Sequence, residues 1–322
     1  MRPFFRSPLT IPSWLAAVLF MAVCPALVTS VSEKEAGRKS GGEVTAVDTA
    51  TEARLVTAGS LETGIPAAAE RFLMLATTTS VDATGLLNVL ADEFEKETGI
   101  TLKWIAVGTG AAIKQARDGN ADVVIVHARK FEEEFLKDGF GVNRRVIARN
   151  YFMIVGPPAD PAGVAGARDA KDAFERIKGT GAVFVSRGDK SGTHIRELDL
   201  WALAGGRPEK NYLETGQGMA QTLQIAAEKR GYTLTDTATF YGLAGLKGLQ
   251  PLYENAPEFE NIYAVIAVNP ARITSARYEK AMAFITFLTS PRVQKMIGDF
   301  KGKADRPLFE PMAGIAGVDL IK

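Results

Sequence analysis

Four times along this chain a short extended segment runs into a loop of glycine and hydroxyl residues and then into the start of a helix. The loops are Thr77-Thr78-Thr79-Ser80, Gly108-Thr109-Gly110, Arg187 to Thr193, and Gly216-Gln217-Gly218. Strands alternating with helices predict α/β construction with mostly parallel sheets. The unit also constrains the chemistry. The first N–H groups of a helix have no internal partner and carry the positive end of its dipole, so they favour an anion. In open α/β sheets ligands lie beyond the carboxyl ends of strands, where such helix starts point.

The third loop is the richest. A buried-type run, Gly181 to Val185, leads into Ser186-Arg187-Gly188-Asp189-Lys190-Ser191-Gly192-Thr193-His194, followed by helical spacing at Ile195, Leu198 and Ala202. Arg187 adds a permanently charged, forked donor. Asp189 runs against an anion site unless it pairs with Arg187 or Lys190, and pairing with Arg187 would also orient the guanidinium. Taken singly, each loop has a plainer reading. Ser or Thr before a helix is an ordinary N-cap. Gly108 to Gly110 begins like a dinucleotide fingerprint, but Ile113 stands where its third glycine belongs. Gly216 to Gly218 suits a plain connecting loop. Their co-occurrence is what makes Thr78, Thr79, Ser80, Gly108, Thr109, Arg187, Ser191, Gly192, Thr193 and Gly218 the candidate anion ligands.

In chain order, strands are expected at Arg71 to Ala76, Ile100 to Val107, Ala121 to His127, Arg145 to Val155, Ala182 to Val185, Ala238 to Tyr241 and Ile262 to Val268. Helices are expected after Gly85, over Ala111 to Arg117, Ala170 to Lys178, Ile195 to Ala204, Met219 to Lys229 and Ala276 to Leu288, with another starting at Ser290-Pro291. Gly99 sits where a helix C-cap glycine belongs. Glu132-Glu133-Glu134 reads as a solvated helix face, and His127 as the cap of a buried strand. The Pro/Gly-rich stretch 156–166 and the return strand at Ile262 divide the chain into lobe 1, residues 71–150 plus 264–322, and lobe 2, residues 151–263.

The N-terminus has the form of an export signal over residues 1–30: basic Arg2 and Arg6, an apolar run Trp14 to Val28, and small residues near Ser30. Residues 31–70 lack periodicity and aromatic residues, the composition of a flexible linker. The single cysteine, Cys24, lies inside the signal, and Val23 and Pro25 beside it argue against lipid anchoring. The chain beyond it therefore has no disulfide and no thiol chemistry. A formal net charge of +1 favours neither nucleic acid nor an anionic membrane as partner. The signal predicts a secreted or periplasmic protein, the periplasm being the expected location.

Catalytic signals are sparse. The two histidines, His127 and His194, show no metal-ligand spacing such as HExxH. Thr193 and His194 are adjacent, and neighbours on a helix point apart. The residues thus predict a binding protein with no catalytic residues, no metal and no cofactor, a secreted hydrolase being the less favoured alternative.

Thr77-Thr78-Thr79-Ser80, Asp122 to Ala128 (DVVIVHA), Ser186 to His194 (SRGDKSGTH) and Tyr232 to Asp236 (YTLTD), in that order, resemble the tungstate-binding proteins of bacterial ABC importers, the TupA type. The resemblance runs from about Arg71 to Phe300; the long segment 31–69 and the centre of Tyr232 to Phe240 depart from it. It implies a two-lobe type II periplasmic binding fold with a hinge of two crossover segments. It also implies an ABC permease as partner and an oxyanion held by Thr78 and Ser80 of one lobe and Arg187, Ser191, Gly192 and Thr193 of the other. Tungstate is a dianion at neutral pH, which suits a site made of donors. Donor chemistry admits molybdate and sulfate equally, whereas phosphate, protonated at that pH, would want an acceptor. The resemblance alone ranks tungstate first.

Overall fold

The computed structural model describes residues 71–243, 246–254, 256–315 and 319. The expected export signal with Cys24 and the expected linker lie outside them. The first half runs β1 (Phe72–Thr78), α1 (Thr79–Ala83), α2 (Leu86–Thr98), β2 (Thr101–Val107), α3 (Thr109–Arg117), β3 (Val123–Val126), α4 (Arg129–Lys137) and the long β4 (Gly141–Gly156). The second half runs α5 (Ala170–Thr180), β5 (Phe184–Ser186), α6 (Gly192–Leu203), β6 (Tyr212–Glu214), α7 (Met219–Lys229), β7 (Thr233–Asp236), α8 (Thr237–Gly242) and β8 (Gln250–Glu254). The return strand β9 (Glu260–Val268) leads into α9 (Tyr278–Thr289), α10 (Pro291–Asp299) and the short β10 (Glu310–Pro311).

The sheet order is β2–β1–β3–β9–β4–β10, with β7 and β8 both paired to the far end of β4. Among the described strands, β1 pairs in parallel with β2 and β3, and β5 with β6, and Phe184 of β5 makes a further parallel bridge to Tyr232. β9 runs antiparallel to β3 and to β4, and β4 antiparallel to β7 and β8. The expectation of mostly parallel sheets is therefore corrected. The chain leaves along β4 and returns along β9, so where these two strands pair they must oppose.

Strand alternation sorts the core into faces. Leu73, Leu75, Val123, Ile125, Val265 and Ala267 pack under α2 and α9 with Phe94, Phe284 and Leu288. Ala76, Val124, Val126 and Ile266 turn the other way, onto Ala112, Ile113 and Phe135. Further along β4 the pattern repeats around different partners. Phe152 and Ile154 join Phe174, Phe184, Trp201 and Phe259, while Met153 and Val155 join Val185, Met219 and Leu223. Two pairs of apolar layers joined by β4 and β9 make this the two-lobe α/β fold.

Two local expectations fail for identifiable reasons. The strand expected at Ala238 to Tyr241 is helix α8, and the strand is Thr233–Asp236 just before it. Asp236 ends the strand as an N-cap, its carboxylate accepting from Thr239 N at 2.9 Å and from Thr239 Oγ1 at 2.6 Å. Glu132 does not face solvent. It is 1% exposed and pairs at 2.8 Å with Arg144 of β4, so α4 turns one carboxylate of the acidic run inward.

Candidate functional site

The β1–α1 loop divides its hydroxyls by role. Thr77 Oγ1 donates to Ile125 O at 2.9 Å and is committed to the sheet. Thr78 caps α1, accepting from Val81 N at 3.4 Å, and its hydroxyl lies 3.0 Å from Ser80 Oγ. Thr79 Oγ1 accepts from Arg187 Nη2 at 3.3 Å. Ser80 Oγ lies 3.0 Å from His127 Nε2, at the end of β3.

In the β5–α6 loop Arg187 is 2% exposed and donates through Nη2 to Asp189 Oδ2 at 2.5 Å. Asp189 is thus the orienting partner of the guanidinium, its other oxygen accepting from Ser191 N at 3.1 Å. Gly188 and Lys190 both have positive φ, +62° and +58°. The left-handed turn at Lys190 costs about 1 kcal/mol or more, and it is held by Lys190 N donating to His194 Nδ1 at 3.0 Å. Ser191 caps α6 by accepting from His194 N at 3.3 Å. Gly192 must be small: a Cβ there would lie 3.1 Å from His127 Cε1.

These contacts join the first and third of the four loops. Arg187 reaches Thr79, the start of α6 rests on His127, and His127 bonds Ser80. The second loop closes on the third, with a Cβ at Gly108 falling 3.5 Å from Asp189 O. Thr109, the first residue of α3, is fully buried. The fourth loop serves from behind, through Gly216 N donating to Arg187 O at 2.8 Å and Thr215 N to Ser186 O at 3.0 Å. Gly218 itself faces Gln221 of its own helix.

Five buried side-chain polar atoms lack a partner among the described residues, and four belong to these loops: Thr109 Oγ1, Arg187 Nε, Thr193 Oγ1 and His194 Nε2. Leaving such a group unpaired costs about 1–3 kcal/mol each, so their concentration in these loops marks them as segments where a polar ligand would be welcomed. Burial depresses the His127 imidazole below its ordinary value of 6.5, with Arg187 adding to the fall and Asp236 opposing it. Burial likewise lowers His194. Thr193 Oγ1 makes no bond to His194, so no nucleophile–base pair forms there. Among the described residues no cluster of His, Cys, Asp and Glu could hold a metal ion.

A buried polar chain continues from Ser80 into the crossover strands. His127 Nδ1 lies 2.9 Å from Asn261 Oδ1, Asn261 Nδ2 donates to Asn150 Oδ1 at 2.7 Å, and Asn150 Nδ2 donates to Asp236 Oδ1 at 3.0 Å. Asn150 and Asn261 are register partners on β4 and β9, and the His127 ring stacks on Tyr263 at 4.8 Å. Sequence reasoning placed His127 at the end of a buried strand without a partner, and passed over Asn150 and Asn261. The available signal was a polar residue inside or bordering an apolar strand, which must find a partner once buried.

Residues 43–292 match the model of a PBP superfamily domain. A putative ABC transporter anion-binding protein of Haloferax volcanii is 46% identical over 247 residues, 75% of this chain and 72% of that protein. The tungstate-binding protein TupA of Campylobacter jejuni is 44% identical over 236 residues, 71% of this chain and 87% of its own length. Among solved structures, the tungstate ABC transporter protein from Geobacter sulfurreducens is 47% identical with a TM-score of 0.67, over 72% of this chain and 99% of that one.

Proposed function

The chain belongs to the periplasmic-binding-protein superfamily and, within it, to the TupA family; on that footing we propose that it captures tungstate between its lobes and delivers it to an ABC permease. The protein is exported, and it acts by binding alone, with no chemistry of its own. Lobe 1 comprises residues 71–150 plus 264–322, lobe 2 residues 151–263, and the two close on the anion about β4 and β9. The ligands are Thr78, Thr79, Ser80, Gly108 and Thr109 from lobe 1, and Arg187, Ser191, Gly192, Thr193 and Gly218 from lobe 2.

The observation carrying this reading is the set of buried unpartnered groups, Thr109 Oγ1, Arg187 Nε and Thr193 Oγ1, which come from both lobes. All three can donate, and the α3 and α6 helix starts supply main-chain N–H groups beside them. A deprotonated tetrahedral oxyanion accepts at every oxygen and suits donors from both sides. Molybdate meets the same requirements and is expected to compete.

The test is a titration of the purified protein with tungstate, molybdate, sulfate and phosphate, read by calorimetry and thermal unfolding. A native-state ligand at a hundred times its dissociation constant stabilises by about 2.7 kcal/mol. Absence of heat and of stabilisation with all four anions would sink the proposal. Ser80, His127 and Asn261 also repeat the connectivity of nucleophile, base and orienting group. The hydrolase alternative is therefore tested in the same preparation: turnover of an activated ester, abolished in His127→Ala, would replace the binding reading.

A further inference from the structure

The buried chain from Asp236 to Ser80 has a fixed hydrogen-bond direction. Asp236 anchors it, since its carboxylate also accepts from Thr239 N and Oγ1. Asn150 must then turn its amide NH2 toward Asp236 and its oxygen toward Asn261. Asn261 donates to Asn150 and, at 2.9 Å, to Tyr263 OH, which leaves its oxygen facing His127 Nδ1. Nδ1 therefore carries a proton. In the neutral ring Nε2 is then a lone pair, and the Ser80 hydroxyl, 3.0 Å away, donates to it.

That arrangement is the wrong one for a dianion. Ser80 spends its only proton on the imidazole and can offer an anion nothing but lone pairs. Thr78, 3.0 Å from Ser80, must then be the donor of the bond between the two hydroxyls, so its proton is taken up as well. Adding a proton at Nε2 reverses a single hydrogen bond. The imidazolium donates to Ser80 Oγ, and the Ser80 proton is released to the ligand. No heavy atom need move, because Asn261 continues to accept at Nδ1.

We propose that capture of a deprotonated tetrahedral oxyanion is coupled to uptake of one proton from solvent by His127, a positioning residue that switches Ser80 from acceptor to donor. This rests on the oxyanion reading of the site above. Burial is the largest influence on the ring and favours its neutral form before the ligand arrives. Asp236 favours the imidazolium and Arg187 opposes it, with Arg187 itself paired to Asp189. The 260 Å³ cavity beside the ring is lined by Arg129, Lys130 and Glu132 of α4 and Arg144 of β4. Arg196 and Asp199 of α6 and Glu260 of β9 complete its charged lining, four cations against three anions. Tyr263, stacked on the ring, is uncharged, burial holding its hydroxyl far from ionisation. Into this near-neutral setting the ligand brings two negative charges, one hydroxyl away from Nε2.

The experiment is calorimetric titration with sodium tungstate at pH 7.5 in buffers of different ionisation enthalpy, which counts protons exchanged. The wild type is expected to take up close to one proton per tungstate, with affinity falling by up to about tenfold per pH unit above neutrality. His127→Gln, whose amide can donate permanently to Ser80, should still bind but with no uptake and a flat pH profile. Imidazole nitrogen NMR on the wild type gives a check that needs no variant at position 127. There are two histidines in the chain, His194→Gln assigns them, and the His127 signal should change from neutral to cationic on adding tungstate. Binding without proton uptake, uptake that survives in His127→Gln, or a His127 ring that stays neutral in the complex each overturns the proposal. If tungstate does not bind at all, the binding reading falls along with it, and the missing heat and missing stabilisation tell that failure from the others.

Discussion

Replacing Arg187 with alanine tests the site at its most charged point. Its guanidinium is 2% exposed, with Nη2 shared between Asp189 and Thr79 and Nε left without a partner. One charge-assisted hydrogen bond to a buried anion is worth about 1.5–3 kcal/mol. At 1.36 kcal/mol per decade, that predicts a loss of roughly 10- to 160-fold in tungstate affinity. The alanine variant should fall at the severe end, because Asp189, only 18% exposed at its side chain, would be left as an unpaired carboxylate beside the incoming dianion. Arg187→Ala combined with Asp189→Asn should therefore bind more tightly than Arg187→Ala alone. Calorimetry on the wild type, both single variants and the double variant closes the cycle, with thermal unfolding confirming that each is folded. An Arg187→Ala affinity within threefold of wild type would refute the reasoning and return Arg187 to a structural role. Equal affinities for the single and double variants would refute the part assigned to Asp189.

Other positions give independent checks. Gly192→Ala puts a methyl 3.1 Å from the His127 ring, so a folded protein with tungstate affinity reduced by about tenfold is expected by titration. Glu197 is buried, accepting from Trp201 Nε1 at 3.2 Å and Tyr212 OH at 2.6 Å, and burial pushes its carboxyl up from 4.5 to about 7. The folded state favours the protonated form, so Glu197 loses stability as pH rises from 4.5 toward 7. Glu197→Gln, which keeps an acceptor oxygen, should stabilise by on the order of 2 kcal/mol at pH 8 and change little at pH 4.5, as read by urea unfolding. Glu132→Ala strands Arg144, 8% exposed at its side chain, and should cost about 3–5 kcal/mol in the same assay. Adding Arg144→Met should recover much of that loss.

The α/β class, most helices and all four loops were legible from local pattern, because hydrophobic spacing and glycine placement act within a few residues. Gly99 does end α2 with a positive φ of 69°, and Ser191 does cap α6. Asp189 could be named as the partner of Arg187 because the two lie two residues apart. The strand misplaced at Ala238 shows where local pattern stops: β-type composition there yielded to an Asp236 cap reinforced by Asn150, 86 residues away. Glu132 went the same way, since Arg144 comes to it from the next strand.

The sequence by itself thus determined which residues could donate to an anion, since side-chain chemistry and helix starts are local properties. Tertiary structure decided which of them remain free to do so. Thr77 is spent on Ile125 and Ser80 is hydrogen-bonded to His127, while Thr109, Arg187 and Thr193 keep unpaired donors. Those outcomes depend on partners 47 and 48 residues distant for Ser80 and Thr77, and on strands that leave and return across the molecule. A hydrogen bond is set by geometry at about 3 Å, and only the folded chain brings such distant atoms to that distance.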